Sequence, residues 1–152
     1  MKKLAILAMT ILAINFTSCS DDDDAVSMSE VPNEVTLAFE TQFPEATDVD
    51  YETFNDQYEV DFDLNNVDYE ALYDMDGTLV KYKYDILDTD VPQEILTAII
   101  NEYDDRPIDD AEILVIDGTN YYQIELDNIP TDDQILFNTD GTVNTTIAYW
   151  DS

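Results

Sequence analysis

Histidine is missing from the chain altogether, and cysteine occurs once, as Cys19. Without an imidazole a nucleophilic triad of the Ser-His-Asp type cannot be assembled. Without a second thiol neither can an internal disulfide or a thiolate zinc site. Basic side chains are scarce as well: five Lys and Arg stand against 36 Asp and Glu in 152 residues, for a net charge of -31. Such a chain repels nucleic-acid phosphates and anionic lipid head groups, which removes both as partners. Long apolar runs are also lacking. The run from Leu4 to Phe16 has 13 residues; as a helix it would reach about 20 Å, against a bilayer core of roughly 30 Å.

What is present argues for a packed protein. Hydrophobic residues make up 45% of the chain and tyrosine occurs ten times, so the acidity decorates a core and does not signal disorder. The length suits one ordinary domain or two very small ones.

Met1-Lys2-Lys3 followed by the apolar run reads as a signal peptide over residues 1–18. The run closes on Phe16-Thr17-Ser18-Cys19, which resembles a bacterial lipobox, so Cys19 is the expected lipid anchor. Two or three acyl chains there would suffice for stable anchoring. Residues 19–30 form a tether that opens with Ser20-Asp21-Asp22-Asp23-Asp24. In lipoproteins of Bacteroidetes-type bacteria, acids just after the lipidated cysteine resemble a signal for display on the outer surface; like-charge repulsion alone would also give a solvated tether. The expected location is therefore the outer membrane, surface-exposed, with the periplasmic side as the alternative. Contact with the membrane is expected through acylated Cys19 alone.

The remainder is written twice. Val31-Pro32-Asn33-Glu34-Val35 returns as Val91-Pro92-Gln93-Glu94-Ile95, and Asp76-Gly77-Thr78-Leu79 returns 64 residues later as Asp140-Gly141-Thr142-Val143. Tyr58-Glu59-Val60-Asp61-Phe62-Asp63 matches Tyr122-Gln123-Ile124-Glu125-Leu126-Asp127 at the same offset of 64. Two copies of one structural unit are implied, residues 31–90 and 91–152. Each opens with a helix, because Pro32 and Pro92 suit a first helical turn and Val35, Ala38 and Phe39 repeat as Ile95, Ala98 and Ile99 with helical spacing. Each then switches to period two. The first copy predicts strands at Thr47–Phe54, Gln57–Leu64, Tyr69–Asp74 and Thr78–Tyr84; the second predicts them at Glu112–Ile116, Tyr121–Asp127, Gln134–Asn138 and Thr142–Trp150. The expected fold is α+β: two tandem units, each one helix followed by a four-stranded antiparallel sheet, with the helices packed on one sheet face.

A helix opened by a Val-Pro pair, closed by Phe43-Pro44-Glu45-Ala46 and followed by a Tyr- and Val-rich antiparallel sheet resembles the PepSY-like domains of bacterial lipoproteins. These are grouped with the tandem-repeat β-lactamase inhibitor protein fold. The resemblance spans Val31 to Trp150 and implies an extracytoplasmic binding or inhibitory module, with no catalytic residues and no cofactor to carry over.

Three pieces of candidate chemistry compete with that. Asp74-Met75-Asp76-Gly77-Thr78-Leu79 matches the nucleophile loop of haloacid dehalogenase-type phosphatases, with Asp74 as nucleophile and Asp76 as general acid/base. That chemistry needs a buried parallel strand before Asp74, whereas Val67-Asp68-Tyr69-Glu70-Ala71-Leu72-Tyr73 alternates and is broken by acids. The second copy reads Asn138-Thr139-Asp140-Gly141, keeping the turn and dropping the nucleophile. A calcium loop of the EF-hand kind fails because Leu72 and Lys83 would occupy its first and twelfth positions. Loose divalent-cation binding by an acidic structural surface lipoprotein stays as an alternative. Paired carboxylates for glycoside chemistry are available by count, but nothing singles out a pair.

Surface patterning is the remaining signal. Val49, Tyr51, Tyr58, Val60, Phe62, Tyr122, Ile124 and Leu126 should face the helices. The other face of the first unit then shows Asp50, Glu52, Glu59, Asp61 and Asp63 beside Lys81 and Lys83. That of the second shows Leu114, Ile116, Tyr121, Leu136 and Trp150. An apolar patch beside an acidic field suits a protein- or peptide-binding surface centred on Tyr121, Leu136 and Trp150, for which a basic partner would fit. Equally, the patch could be packed internally, against the tether or the other unit.

Overall fold

The computed structural model describes residues 26–151. Cys19, the signal segment and the aspartate run therefore lie outside the described residues. Helix α1 (Asn33–Gln42) precedes strands β1 (Thr47–Phe54), β2 (Gln57–Leu64), β3 (Val67–Asp74) and β4 (Leu79–Asp85). A short 3-10 turn at Asp88–Asp90 leads to helix α2 (Gln93–Glu102), then to β5 (Ile108–Ile116), β6 (Thr119–Leu126) and β7 (Asp133–Asn138).

Each helix begins just after a proline, which loses no backbone donor there, and the Pro32 and Pro92 carbonyls accept from Val35 and Ile95, both at 3.0 Å. Pro44 ends α1 by disfavouring helical geometry at Phe43. Asp104 and Asp105, both at positive φ (57° and 54°), turn the chain out of α2. Three strand pairs are joined by two-residue turns in the left-handed region: Asn55-Asp56, Asn65-Asn66 and Asp117-Gly118. Asn, Asp and Gly are the residues that tolerate such turns, whose twist matches the flanking strands.

The seven strands form one antiparallel sheet in sequence order, β1 to β7. Both helices cover the same face. Val35 and Phe39 of α1, with Phe43, pack on Tyr51, Val60, Phe62, Ala71 and Tyr73. Ile95 and Ile99 of α2 pack on Ala111, Ile124, Leu126, Ile135 and Phe137. Burying each such side chain stabilises the fold by about 1.5–3 kcal/mol.

The expectation of two units with a four-stranded sheet each is corrected on two counts. First, β4 pairs with β5, Tyr82 opposite Val115 and Tyr84 opposite Ile113, so the repeats share one continuous sheet. The run Lys81-Tyr82-Lys83-Tyr84 has the alternation of a half-buried strand, and burying its second edge against β5 satisfies backbone groups an isolated unit would leave bare. Second, Thr142–Trp150 is not an eighth strand. Only Val143 bridges to Phe137, and the Asn144 N–H reaches the Leu136 carbonyl at 2.7 Å. There the Asn144 side-chain oxygen accepts from the Thr146 and Ile147 N–H groups, at 2.9 and 3.0 Å. That local turn competes with the ladder and takes the chain off the sheet edge.

Candidate functional site

Positions paired across neighbouring strands share a face, so the register lays out the face that carries no helix. One row crosses it as Asp61, Glu70, Lys83, Leu114 and Tyr121; another runs through Glu59, Leu72, Lys81 and Ile116. Over β6 and β7 the same face carries Gln123 opposite Leu136. Apolar residues therefore gather over the second repeat and acids over the first.

The segment after Asn144 folds back over the apolar part. Trp150, 3% exposed, closes a cluster with Leu72, Leu114 and Leu136, against which Tyr121, Ile116, Val80 and Ile147 pack. The three residues expected at the centre of a binding patch are thus brought together, Tyr121 half-buried and the other two buried, beneath the chain's own last described residues.

Trp150 is gripped by polar side chains from both repeats. Its indole N–H donates to Glu59 Oε2 at 3.1 Å, and its backbone N–H donates to Gln123 Oε1 at 2.9 Å. Its carbonyl accepts from Gln123 Nε2 at 3.1 Å and from Lys83 Nζ at 3.4 Å. Lys81 Nζ lies over the indole ring, 4.0 Å from its centroid. Behind the tryptophan, Lys83 bridges Glu70 (3.2 Å) and Glu112 (3.0 Å), and Glu112 accepts from Gln123 Nε2 at 2.8 Å. A network from Glu70 to Trp150 therefore joins β3, β4, β5 and β6. Glu59 and Gln123 are the same position in the two copies, 64 residues apart. That repeat offset, together with the placement of both on the face away from the helices, is the signal by which Gln123 could have been picked out from sequence.

The electrostatics follow from burial and crowding. Loss of water pushes the Glu59 carboxyl up to about 7, with Glu70 and Asp61 adding repulsion. Burial likewise lifts Asp61 to about 6, helped by Glu70 and Glu52. Burial pulls the Lys83 ammonium down, but Glu112 and Glu70 outweigh it and hold Lys83 above its ordinary value. Carboxylate oxygens of Glu59, Asp61 and Glu70 come within 4.8 Å of one another, close enough to share a cation. Lys83, in contact with Glu70, already supplies positive charge beside them.

Asp74 and Asp76 build a turn. Asp74 Oδ1 accepts from Gln57 Nε2 at 2.7 Å and Asp76 Oδ1 accepts from the Thr78 N–H at 3.1 Å; hydrogen bonding to the Thr78 side chain, then to its N–H, holds Asp76 below the usual carboxylate range. The second copy repeats this, Asp140 accepting from the Thr142 N–H at 3.0 Å. Strand β3 is antiparallel to both neighbours, so the parallel strand a phosphatase loop requires is not beneath Asp74. Gly77 and Gly141, both at φ +81°, abut the helices: a Cβ at either would run into the Glu34 or Glu94 carbonyl. The shared motif docks a hairpin onto the first turn of each helix.

Two repeats that build one antiparallel sheet with a helix from each on the same face define a tandem-repeat α+β module. The chain belongs to the family described as beta-lactamase-inhibitor-like, PepSY-like, whose model matches twice, over residues 16–81 and 80–145. This family's fold type is non-enzymatic. Solved structures share the fold. A DUF2874 family protein from Bacteroides uniformis ATCC 8492 is similar at 23% identity and TM-score 0.69, over 74% of this chain and 85% of that one. A BLIP-like protein from Bacteroides fragilis NCTC 9343 is similar at 18% identity and TM-score 0.66, over 78% and 92%. A Bacteroides eggerthii DSM 20697 structure, described as "putative periplasmic proteins", is similar at 21% identity and TM-score 0.69, over 74% and 85%. None of the curated proteins matches the chain.

Proposed function

We propose that the protein is a non-catalytic binding module of the cell envelope, anchored through a lipidated Cys19, whose open sheet face holds a basic protein or peptide segment. The observation that carries this is the asymmetry of the sheet: two helices bury one face, while the other presents Glu52, Asp61 and Glu70 beside an apolar cluster. Acids without a helix over them attract a cationic partner at long range, and apolar residues next to them supply contact energy at short range. The apolar edge of that contact is Tyr121, half-buried against Leu136 and Trp150, which the chain's own last described residues cover. A BLIP-like fold is also consistent with inhibition, which assaying the captured partner with and without the protein would test.

Wild type and a Glu52→Gln, Asp61→Asn, Asp63→Asn variant, used as baits on envelope extract with crosslinking, test the binding. The expected outcome is a partner that wild type retains at low salt and releases by about 0.3 M, and that the variant recovers about tenfold less. Equal recovery by both baits would overturn the acidic-face assignment. Labelling with a clickable fatty acid tests the anchor: the label should vanish in Cys19→Ala.

A further inference from the structure

Trp150 is held in the manner of a bound peptide residue. Segments that belong to a sheet use the backbone ladder, whereas here side chains from β2, β4 and β6 read one residue's N–H, C=O and indole N–H. Among the described residues, the last backbone-to-backbone bond tying this segment to the sheet is Asn144 to Leu136. From Thr145 to Asp151 the attachments are side-chain ones, ending with Gln134 Nε2 on Asp151 Oδ1 at 2.6 Å. Thr145, Thr146 and Ala148 are exposed, Ile147 and Tyr149 are half-buried, and Trp150 is the one residue from 145 to 151 that is fully buried.

We propose that Glu59, Lys81, Lys83 and Gln123 form a tryptophan-accepting peptide subsite, filled in cis by Trp150, from which an extended partner segment bearing a tryptophan beside basic residues displaces residues 145–151. This rests on the open sheet face being a polypeptide-binding surface. The basic flank follows from charge: the pocket beside Trp150 is lined by Glu70, Asp110, Glu112 and Glu125, with Lys83 as its cation. A second copy of the chain is a poor occupant, because two bodies of charge -31 repel and the segment itself brings Asp151. The tethered Trp150 competes at an effective concentration on the order of millimolar, so an incoming segment must outbind a ligand that never diffuses away. The cis segment thereby sets a threshold for the partner.

Because Trp150 is the single tryptophan, Trp150→Ala vacates the subsite and leaves the protein without tryptophan emission. The probe is a synthetic peptide copying residues 144–152 with two lysines appended. Its emission should shift to the blue and saturate on adding Trp150→Ala protein. A peptide with alanine for its tryptophan should fail to compete, and adding Gln123→Ala should weaken binding about tenfold or more. Wild type should bind the probe at least about tenfold more weakly than Trp150→Ala, because its own segment competes. No saturable shift with a Trp150→Ala protein of wild-type circular dichroism would overturn the proposal. So would wild type forming segment-exchanged dimers in preference to binding the probe. Should Trp150→Ala lose its fold, Trp150→Phe with a fluorescein-labelled probe takes its place, and failure to bind there is equally fatal. Salt-sensitive capture by the acidic face without probe binding would remove only this subsite; probe binding without such capture would remove only the acidic-face reading.

Discussion

After Gly77 the first repeat continues as Lys81-Tyr82-Lys83-Tyr84, hydrogen-bonded to β3 on one side and β5 on the other. After Gly141 the second repeat leaves the ladder at Asn144 and lays its tryptophan on the open face. Chemistry on that face differs in parallel. At the 64-residue offset, Glu59, Glu70 and Asp74 of the first copy become Gln123, Gln134 and Asn138 in the second. Replacing acids by amides removes charge from where a polypeptide is to be covered, and an amide can both donate to and accept from a backbone, as Gln123 does with Trp150. The cores differ too: the first is a web of rings, with Phe39 within 6.4 Å of Phe43, Tyr51, Phe62 and Tyr73, whereas the second is mostly Ile, Leu and Val. One fold has thus been kept while its two halves diverged into a charged half and a capped half.

The largest expected effect separates the cores. Phe39→Ala should cost about 4 kcal/mol and Ile99→Ala about 3 kcal/mol, measured by urea denaturation. Because β4 and β5 join the repeats, each variant should still unfold in one transition; two resolved transitions would break the picture of a single cooperative sheet. Smaller effects are expected at the docked hairpins. Gly77→Ala and Gly141→Ala should each cost about 2 kcal/mol, since each adds strain at positive φ and a clash with a helix carbonyl. A markedly milder Gly141→Ala in thermal melts would mean the second hairpin is held less firmly on α2.

The smallest effect concerns the acid-to-amide difference. A carboxyl raised in the folded state binds its proton more tightly there than in the unfolded chain, so its contribution to stability is fully present below its ordinary value and lost as pH rises through the raised one. For Glu59 that window runs from its ordinary value of 4.5 to about 7, and for Asp61 from 3.8 to about 6. Stability should therefore fall as pH climbs across these windows. Glu59→Gln, which makes the first copy resemble the second, should flatten the profile by on the order of 1 kcal/mol once solvent screening is allowed for. An unchanged profile in urea melts from pH 5 to 8 would mean that Glu59 does not sense its burial.

Much of the architecture is legible in residue order. Strands β1 and β2 fall at the predicted bounds because alternation and the Asn-Asp and Asn-Asn turns are local signals. The helices follow Pro32 and Pro92 for the same reason. The echo of Asp76-Gly77 at Asp140-Gly141 was enough to read that motif as a turn, and the structure adds why glycine is needed there: the nearby helix carbonyl. Strand β5, by contrast, begins at Ile108, four residues before the predicted Glu112, because the irregular pairing between Ile108 and Asp110 breaks the alternation that marks a strand.

From the sequence alone came the repeat, the turn chemistry and which residues face the helices, because each depends on spacing within a few positions. Only the tertiary structure decided that the repeats share one sheet and that Trp150 lies across it. Both depend on which edge or face finds a partner many residues away, and a period-two pattern is satisfied equally by a strand in its own sheet or in its neighbour's. Val143 to Trp150 could alternate like a strand and still leave the ladder, because Asn144 offered its backbone a local alternative and Glu59 and Gln123, 91 and 27 residues away, offered Trp150 a better-satisfied place.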